Sequence, residues 1–135
     1  MILLDTDVLM DVALDRRPHS GPSADVLDRT ERGTRRGFVA WHTLSNFYYL
    51  VTPVRGDADT RAFIAELTRF VGVAPSDTAA LRYAISLPMA DFEDAMQVAA
   101  ARACGARHIV TRNVGDFAQS PIPALTPEEA LAQLF

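Results

Sequence analysis

Short hydrophobic runs of two to four residues recur along this chain, separated by longer stretches whose apolar positions fall three and four apart. Short runs without alternation are typical of strands buried on both faces, and the longer spacing marks helices with one face on a core. Ile2-Leu3-Leu4, closed by Asp5, is the first strand, and a helix follows over about Asp7–Leu14. Arg17-Pro18-His19-Ser20-Gly21-Pro22 reads as a loop and Ser23 to about Arg32 as a second helix. Gly37-Phe38-Val39-Ala40 is the next strand, and His42–Val51 is a helix with Leu44, Phe47, Tyr48 and Val51 on one face, ended by Pro53. Ala58–Val71 is predicted helical on the stripe Phe63, Leu67, Phe70 and Val71, with Val73-Ala74 a minimal strand. Ser76 or Asp77 caps a helix to about Leu87, which Pro88 breaks. Asp91–Ala103 is the next helix, with Gly105 as its C-terminal stop. His108-Ile109-Val110-Thr111 is a strand, Ile122–Leu125 a short edge strand, and Pro127–Leu134 a final helix begun by Thr126.

Strands alternating with helices predict an α/β fold, specifically a three-layer α/β/α sandwich with a mostly parallel central sheet. No repeat, low-complexity tract or linker interrupts the pattern, so residues 1–135 are read as a single domain. No segment approaches the ~18–20 apolar residues of a membrane span, and a single cysteine, Cys104, leaves no internal disulfide. The expected location is cytoplasmic, with no membrane association.

Charge changes the picture in one respect. Thirteen basic residues against seventeen acidic ones give −4, the wrong sign for nucleic-acid binding by a general positive field. All thirteen are arginine, which removes every mechanism with an obligatory lysine. Arginine still grips phosphate bidentately. Arg16, Arg17, Arg29, Arg32, Arg35 and Arg36 crowd the first third of the chain, as a solvated helix surface or as phosphate contacts.

Four acids distant in sequence fall where open parallel sheets bind ligands, beyond the carboxyl ends of the strands. Asp5 ends the first strand, Asp91 and Asp94 open a helix, and Asp116 follows the strand that leads into Arg112-Asn113-Val114-Gly115. Each has a local alternative. Asp5 suits a helix cap, Asp91 and Asp94 have the spacing of an N-cap and its N3 acid, and Asp116 suits a turn. Taken together, clustered acids need a cation, and hard oxygen ligands select Mg2+ or Mn2+. His19, His42 and His108 show no zinc spacing, and Ser45 lies in no nucleophile elbow.

At these residues the chain resembles the PIN-domain family. Leu3-Leu4-Asp5-Thr6-Asp7-Val8-Leu9-Met10-Asp11 is similar to its opening motif. The block Asp91-Phe92-Glu93-Asp94-Ala95, then Thr111-Arg112-Asn113 and Asp116-Phe117, is similar to its third and fourth motifs. The resemblance covers essentially the whole chain, and its length suits VapC-type ribonuclease toxins. It implies an Mg2+- or Mn2+-dependent endoribonuclease that leaves a 5′-phosphate and a 3′-hydroxyl. Asp5, Asp94 and Asp116 fall on the family's metal-binding catalytic acids, Asp91 is a further acid of the branch with this block, and Thr111 and Asn113 organise the fourth motif. It also implies an RNA substrate, a small antitoxin whose tail blocks the metal site, and a homodimer.

One position departs from the pattern. The acid expected on the helix after the second strand is Asn46, which offers a carbonyl oxygen but no charge. Asp91 would then supply the missing charge. Two other readings remain at this point. A non-catalytic PIN fold that holds RNA or protein fits Asn46. A haloacid-dehalogenase-like phosphatase fits Leu4-Asp5-Thr6-Asp7-Val8 but lacks that superfamily's lysine and usual length.

Overall fold

Each strand is only two or three residues long, set within the short apolar runs. The computed structural model describes residues 1–135 and contains β1 (Ile2–Leu4), β2 (Gly37–Val39), β3 (Val71–Val73), β4 (His108–Val110) and β5 (Ala124–Leu125). They form one sheet in the order β3-β2-β1-β4-β5, with every pairing parallel. Central β1 pairs Ile2 with Gly37 on one side and with His108 on the other.

The sheet is covered on both faces, which is why its strands read as unbroken apolar runs. Ile2, Leu4 and Val110 point into a core shared with Val8, Val26, Phe47, Val51, Leu67 and Ala130. These come from α1 (Thr6–Ala13), α2 (Ser20–Glu31), α3 (Trp41–Arg55), α4 (Asp57–Leu67) and α7 (Pro127–Leu134). Leu3 and Ile109 point the other way, against Val98, Ala100 and Ala101 of α6 (Phe92–Cys104), which packs on α5 (Thr78–Ser86). The result is the three-layer α/β/α sandwich, with an all-parallel sheet.

Several boundaries differ from the sequence expectation. Helix α2 starts at Ser20 and takes Gly21 and Pro22 into its first turn, where a missing N–H costs nothing. Helix α3 continues through Pro53 to Arg55. Pro53 is exposed and lies in the last turn, so the carbonyl it fails to satisfy can be hydrated, and the stop comes instead at Gly56, whose N–H donates to the Thr52 carbonyl at 2.8 Å. Helix α4 ends at Leu67, and Val71, expected as its last apolar position, begins β3. Strand β5 is two residues rather than four.

Gly105 ends α6 with a left-handed φ of 75°. Gly105→Ala is expected to cost about 1–2 kcal/mol, the penalty of a side chain in that conformation. Urea unfolding should show a lower midpoint with an unchanged slope; an unaltered midpoint would mean that the turn relaxes.

Candidate functional site

Parallel strands deliver their C-terminal residues to one edge of the sheet, and α1, α3 and α6 start at that edge. Asp5 follows β1 directly and is the N-cap of α1, its Oδ1 accepting from the Thr6 N–H at 2.7 Å. Its carboxylate is only 6% exposed and is held from two further elements. Gln97 Nε2 of α6 donates to Oδ1 at 3.1 Å, and the Thr111 hydroxyl after β4 donates to Oδ2 at 2.8 Å. Burial, then repulsion from Asp7 and Glu93, outweigh these hydrogen bonds and push the Asp5 carboxyl up to about 7.

Asp7 lies one step into α1 and ties that helix to the segment after β4. Its Oδ2 accepts from the Arg112 backbone N–H at 3.1 Å and from Asn113 Nδ2 at 3.0 Å, with Thr111 Oγ1 at 3.2 Å. Thr111 Oγ1 also accepts from the Asn113 N–H at 3.1 Å. One hydroxyl proton cannot serve Asp5 and Asp7 together, so their ionisation is linked through Thr111. Asp7 Oδ1 is buried without a partner. Burial raises the Asp7 carboxyl above its ordinary range.

Asp91 caps α6, its Oδ1 accepting from the Asp94 N–H at 3.0 Å, so the local role anticipated for this acid is present and one oxygen remains free. Asp94 is pushed up to about 6 by burial first and then by Asp91, Glu93, Asp116 and Asp7. Asp94 is the hinge of the arrangement. It lines a cavity of about 220 Å³ with Asp5, Asp7, Asn46, Glu93 and Asn113, and a neighbouring one of about 300 Å³ with Asp91 and Asp116. Asn46 therefore faces the acids from α3, on the turn after Thr43. Asp116, in the 3-10 turn Val114–Phe117, is exposed.

Residues outside the sequence expectation complete the site. Gln97 is fully buried, and its Nε2 also donates to Thr43 Oγ1 at 2.8 Å, while the Thr6 hydroxyl donates to the same oxygen at 3.2 Å. A single chain of hydrogen bonds thus runs from α3 through α6 to Asp5. Its sequence signal was a lone polar residue among Ala95, Val98 and Ala101 on the inner face of α6. Glu93 bonds His42 at 2.7 Å across α6 and α3. Arg112 Nε donates to the buried Asp11 at 2.6 Å, placing one cation behind the acids.

The donors fit a hard divalent cation in kind: carboxylate and amide oxygens, the Asp7 Oδ1 buried without a partner, and three carboxyls raised by burial and crowding. No three acidic, histidine or cysteine side chains stand gathered at ion-ligand distance. Asp94 and Asp116 make no side-chain hydrogen bond that would oppose a rotamer change toward Asp5.

A parallel α/β/α sandwich with acids from several elements at the carboxyl edge defines an acidic-cleft class of domain. The PIN domain model matches residues 1–115, and the chain belongs to that family. This membership removes the dehalogenase-like reading. Among solved structures, VapBC2 from Rickettsia felis, bound to a DNA fragment from their promoter, matches with TM-score 0.72 and 15% identity, over 93% of this chain and 98% of that one. VapC20 from Mycobacterium tuberculosis, a sarcin-ricin loop cleaving toxin, matches with TM-score 0.64 and 14% identity, over 100% and 97%. FitAcB from Neisseria gonorrhoeae matches with TM-score 0.65 and 19% identity, over 95% and 99%. No curated protein matches the chain. No helix is long and apolar enough to cross a membrane.

Proposed function

We propose that this chain is an Mg2+- or Mn2+-dependent endoribonuclease and the toxin of a toxin–antitoxin pair. The observation that carries the reading is the approach of Asp5, Asp7, Glu93, Asp94 and Asn46 to one cavity, with Asp5 and Asp94 both held well above the carboxylate range. Asp5, Asp94 and Asp116 would hold the ion, with the free oxygen of Asp91 as an auxiliary ligand and Asn46 as a weak one. A bound ion would supply Lewis acidity at the phosphodiester and a water of lowered pKa.

The chain's own residues do the positioning. Gln97 and Thr111 fix both oxygens of Asp5, so this ligand needs no reordering when the ion enters. Asn113 and the Arg112 backbone hold Asp7 and keep the segment carrying Asp116 against α1. Arg112 neutralises Asp11 and limits the negative field behind the site. Exposed Asp116 and half-buried Asp94 form the open side, where an RNA backbone would enter.

Partners follow the same reading. The relatives solved as VapBC2 and FitAcB motivate a small antitoxin partner, and exposed Trp41, Tyr49, Val54 and Ile85 provide apolar area for it or for a homodimer.

Mn2+ is expected to raise the melting temperature in a concentration-dependent way, because an ion bound by the folded state alone stabilises it by mass action. Cleavage of a structured RNA should require Mn2+ and stop with EDTA. Asp94→Asn should lose both the metal-dependent shift and cleavage. No shift at millimolar Mn2+ would sink the reading, while a normal shift without cleavage would point to a non-catalytic RNA- or protein-binding PIN fold.

A further inference from the structure

Parallel strands also gather their first residues at one edge, and here that edge is cationic. Arg36 precedes β2, Met1 precedes β1 and Arg107 precedes β4. The Ile2 N–H donates to the Arg36 carbonyl at 2.9 Å and the Arg107 N–H to the Met1 carbonyl at 3.1 Å, which fixes these positions side by side. With strands ~4.8 Å apart, the backbones of Arg36 and Arg107 stand roughly 10 Å apart across β1. Arg35 adjoins them. The ring of His108, which opens β4, registers the cluster: burial lowers its pKa, and Arg35, the N-terminal ammonium and Arg107 lower it further.

These arginines are not consumed by carboxylates. Arg16, Arg17, Arg32, Arg61, Arg69 and Arg112 each pair with an acid, whereas Arg35, Arg36 and Arg107, like Arg29, Arg55, Arg82 and Arg102, pair with none. Arg36 lies 5.3 Å over the Phe38 ring, and Arg35 Nε donates to the Leu134 carbonyl at 2.6 Å. Such contacts steady the side chains and leave other guanidinium N–H groups unused. Arg107 makes no side-chain bond. Like charges on adjacent strands repel, so the row is locally unfavourable until an anion meets it.

The acids of the cleft occupy the opposite edge of the same sheet. A chain of net charge −4 is therefore polarised along its strands, with a positive pole remote from the candidate reaction site. We infer that Arg35, Arg36 and Arg107 form a phosphate-backbone contact that holds RNA at a distance from the point of cleavage. Arginine grips phosphate oxygens bidentately, and a row of three suits a polyanion better than a single anionic group. The inference rests on the RNA reading given above. It adds a substrate-length requirement, because only an RNA long enough to leave the cleft and reach the far edge gains from these contacts.

The test is binding without cleavage. Fluorescence anisotropy in EDTA would compare wild type with the double variant Arg36→Gln/Arg107→Gln, using 5′-labelled RNAs of about 6 and about 30 nucleotides across a KCl series. Both side chains are exposed, so melting temperature should be preserved and serves as the folding control. For the long RNA we expect at least about tenfold weaker binding and a salt slope lower by about 1.4, the loss of two single-strand phosphate contacts. Binding of the short RNA should be unchanged, and with Mn2+ the variant should raise KM for the long RNA at constant kcat.

An unchanged affinity and slope for the long RNA would overturn the inference and leave the nuclease reading intact. Equal weakening for both lengths would overturn it too, by making the effect a general field. If wild type cleaves no RNA with Mn2+ yet the long-RNA slope still falls, the nuclease reading fails and the contact stands. If the variant instead loses a salt-sensitive self-association by sedimentation, with RNA binding unaltered, the edge belongs to the acidic pole of a second copy and the inference is wrong.

Discussion

Asp5→Asn is expected to make the metal-free protein more stable at pH 8 while abolishing cleavage. Asp5 titrates near 7 when folded against 3.8 as its ordinary value, because burial dominates and Asp7 and Glu93 add repulsion. Between about pH 4 and 7 the folded state keeps a proton on Asp5 that the unfolded chain has released. Stability therefore falls as pH rises through that window and levels off above it. The loss is on the order of 4 kcal/mol, from about 3 pKa units at 1.36 kcal/mol each. Asparagine removes the charge and keeps the shape. Its carbonyl can accept from the Thr6 N–H and Gln97 Nε2, and its NH2 can donate to Thr111 Oγ1, whose proton then turns to Asp7 Oδ2 at 3.2 Å. The second NH2 proton is left to the cavity that position 5 lines. Urea unfolding at several pH values would show the variant and wild type converging near pH 4 and separating toward pH 7. A variant less stable than wild type at pH 8 would mean that the hydrogen bonds to the carboxylate outweigh its desolvation. Retained cleavage would remove Asp5 from the metal set.

The same residue shows what a sequence can and cannot disclose. That Asp5 would sit at the ligand-binding edge was legible, because an apolar run ending in an acid is a local pattern and parallel sheets put such ends together. What holds it was not legible. Gln97 and Thr111 lie 92 and 106 residues away, and a hydrogen bond over that separation has no local periodicity. Asp91 and Asp94 illustrate the opposite case. Their spacing fits both a cap and a ligand pair, and in the fold the cap is real, while Asp94 faces both cavities.

The displaced element boundaries have equally specific causes. Pro53 is a helix stop by its chemistry alone, but its effect depends on whether the orphaned carbonyl reaches water, which is a tertiary fact. Val71 satisfied both the stripe of α4 and the start of β3, and only the pairing of Gly37 with Val71 decides between them. Burial of both faces of β1 is legible from its unbroken apolar run, and Ile2, Leu3 and Leu4 are all fully buried.

Asn46→Glu is expected to tighten metal binding by at least about tenfold and to lower stability without metal. Asn46 lies on the wall of the cavity that Asp5, Asp7, Glu93 and Asp94 share, so a carboxylate there joins acids that already repel one another. In chelator-treated buffer the melting temperature should drop below wild type. With Mn2+ the added charge becomes a ligand, and the metal-dependent rise should exceed that of wild type. Cleavage should improve at limiting Mn2+ and change little at saturation, since the substitution acts on ion affinity rather than on the bond broken. Calorimetric titration of Mn2+ separates the possibilities. Unaltered affinity together with unaltered stability would show that position 46 does not reach the ion. Lower affinity would show that the longer side chain crowds an ion already served by Asp91, whose second oxygen lies one cavity away across Asp94. A large gain in affinity with no cleavage would return the chain to the non-catalytic reading, with Asn46 as its mark.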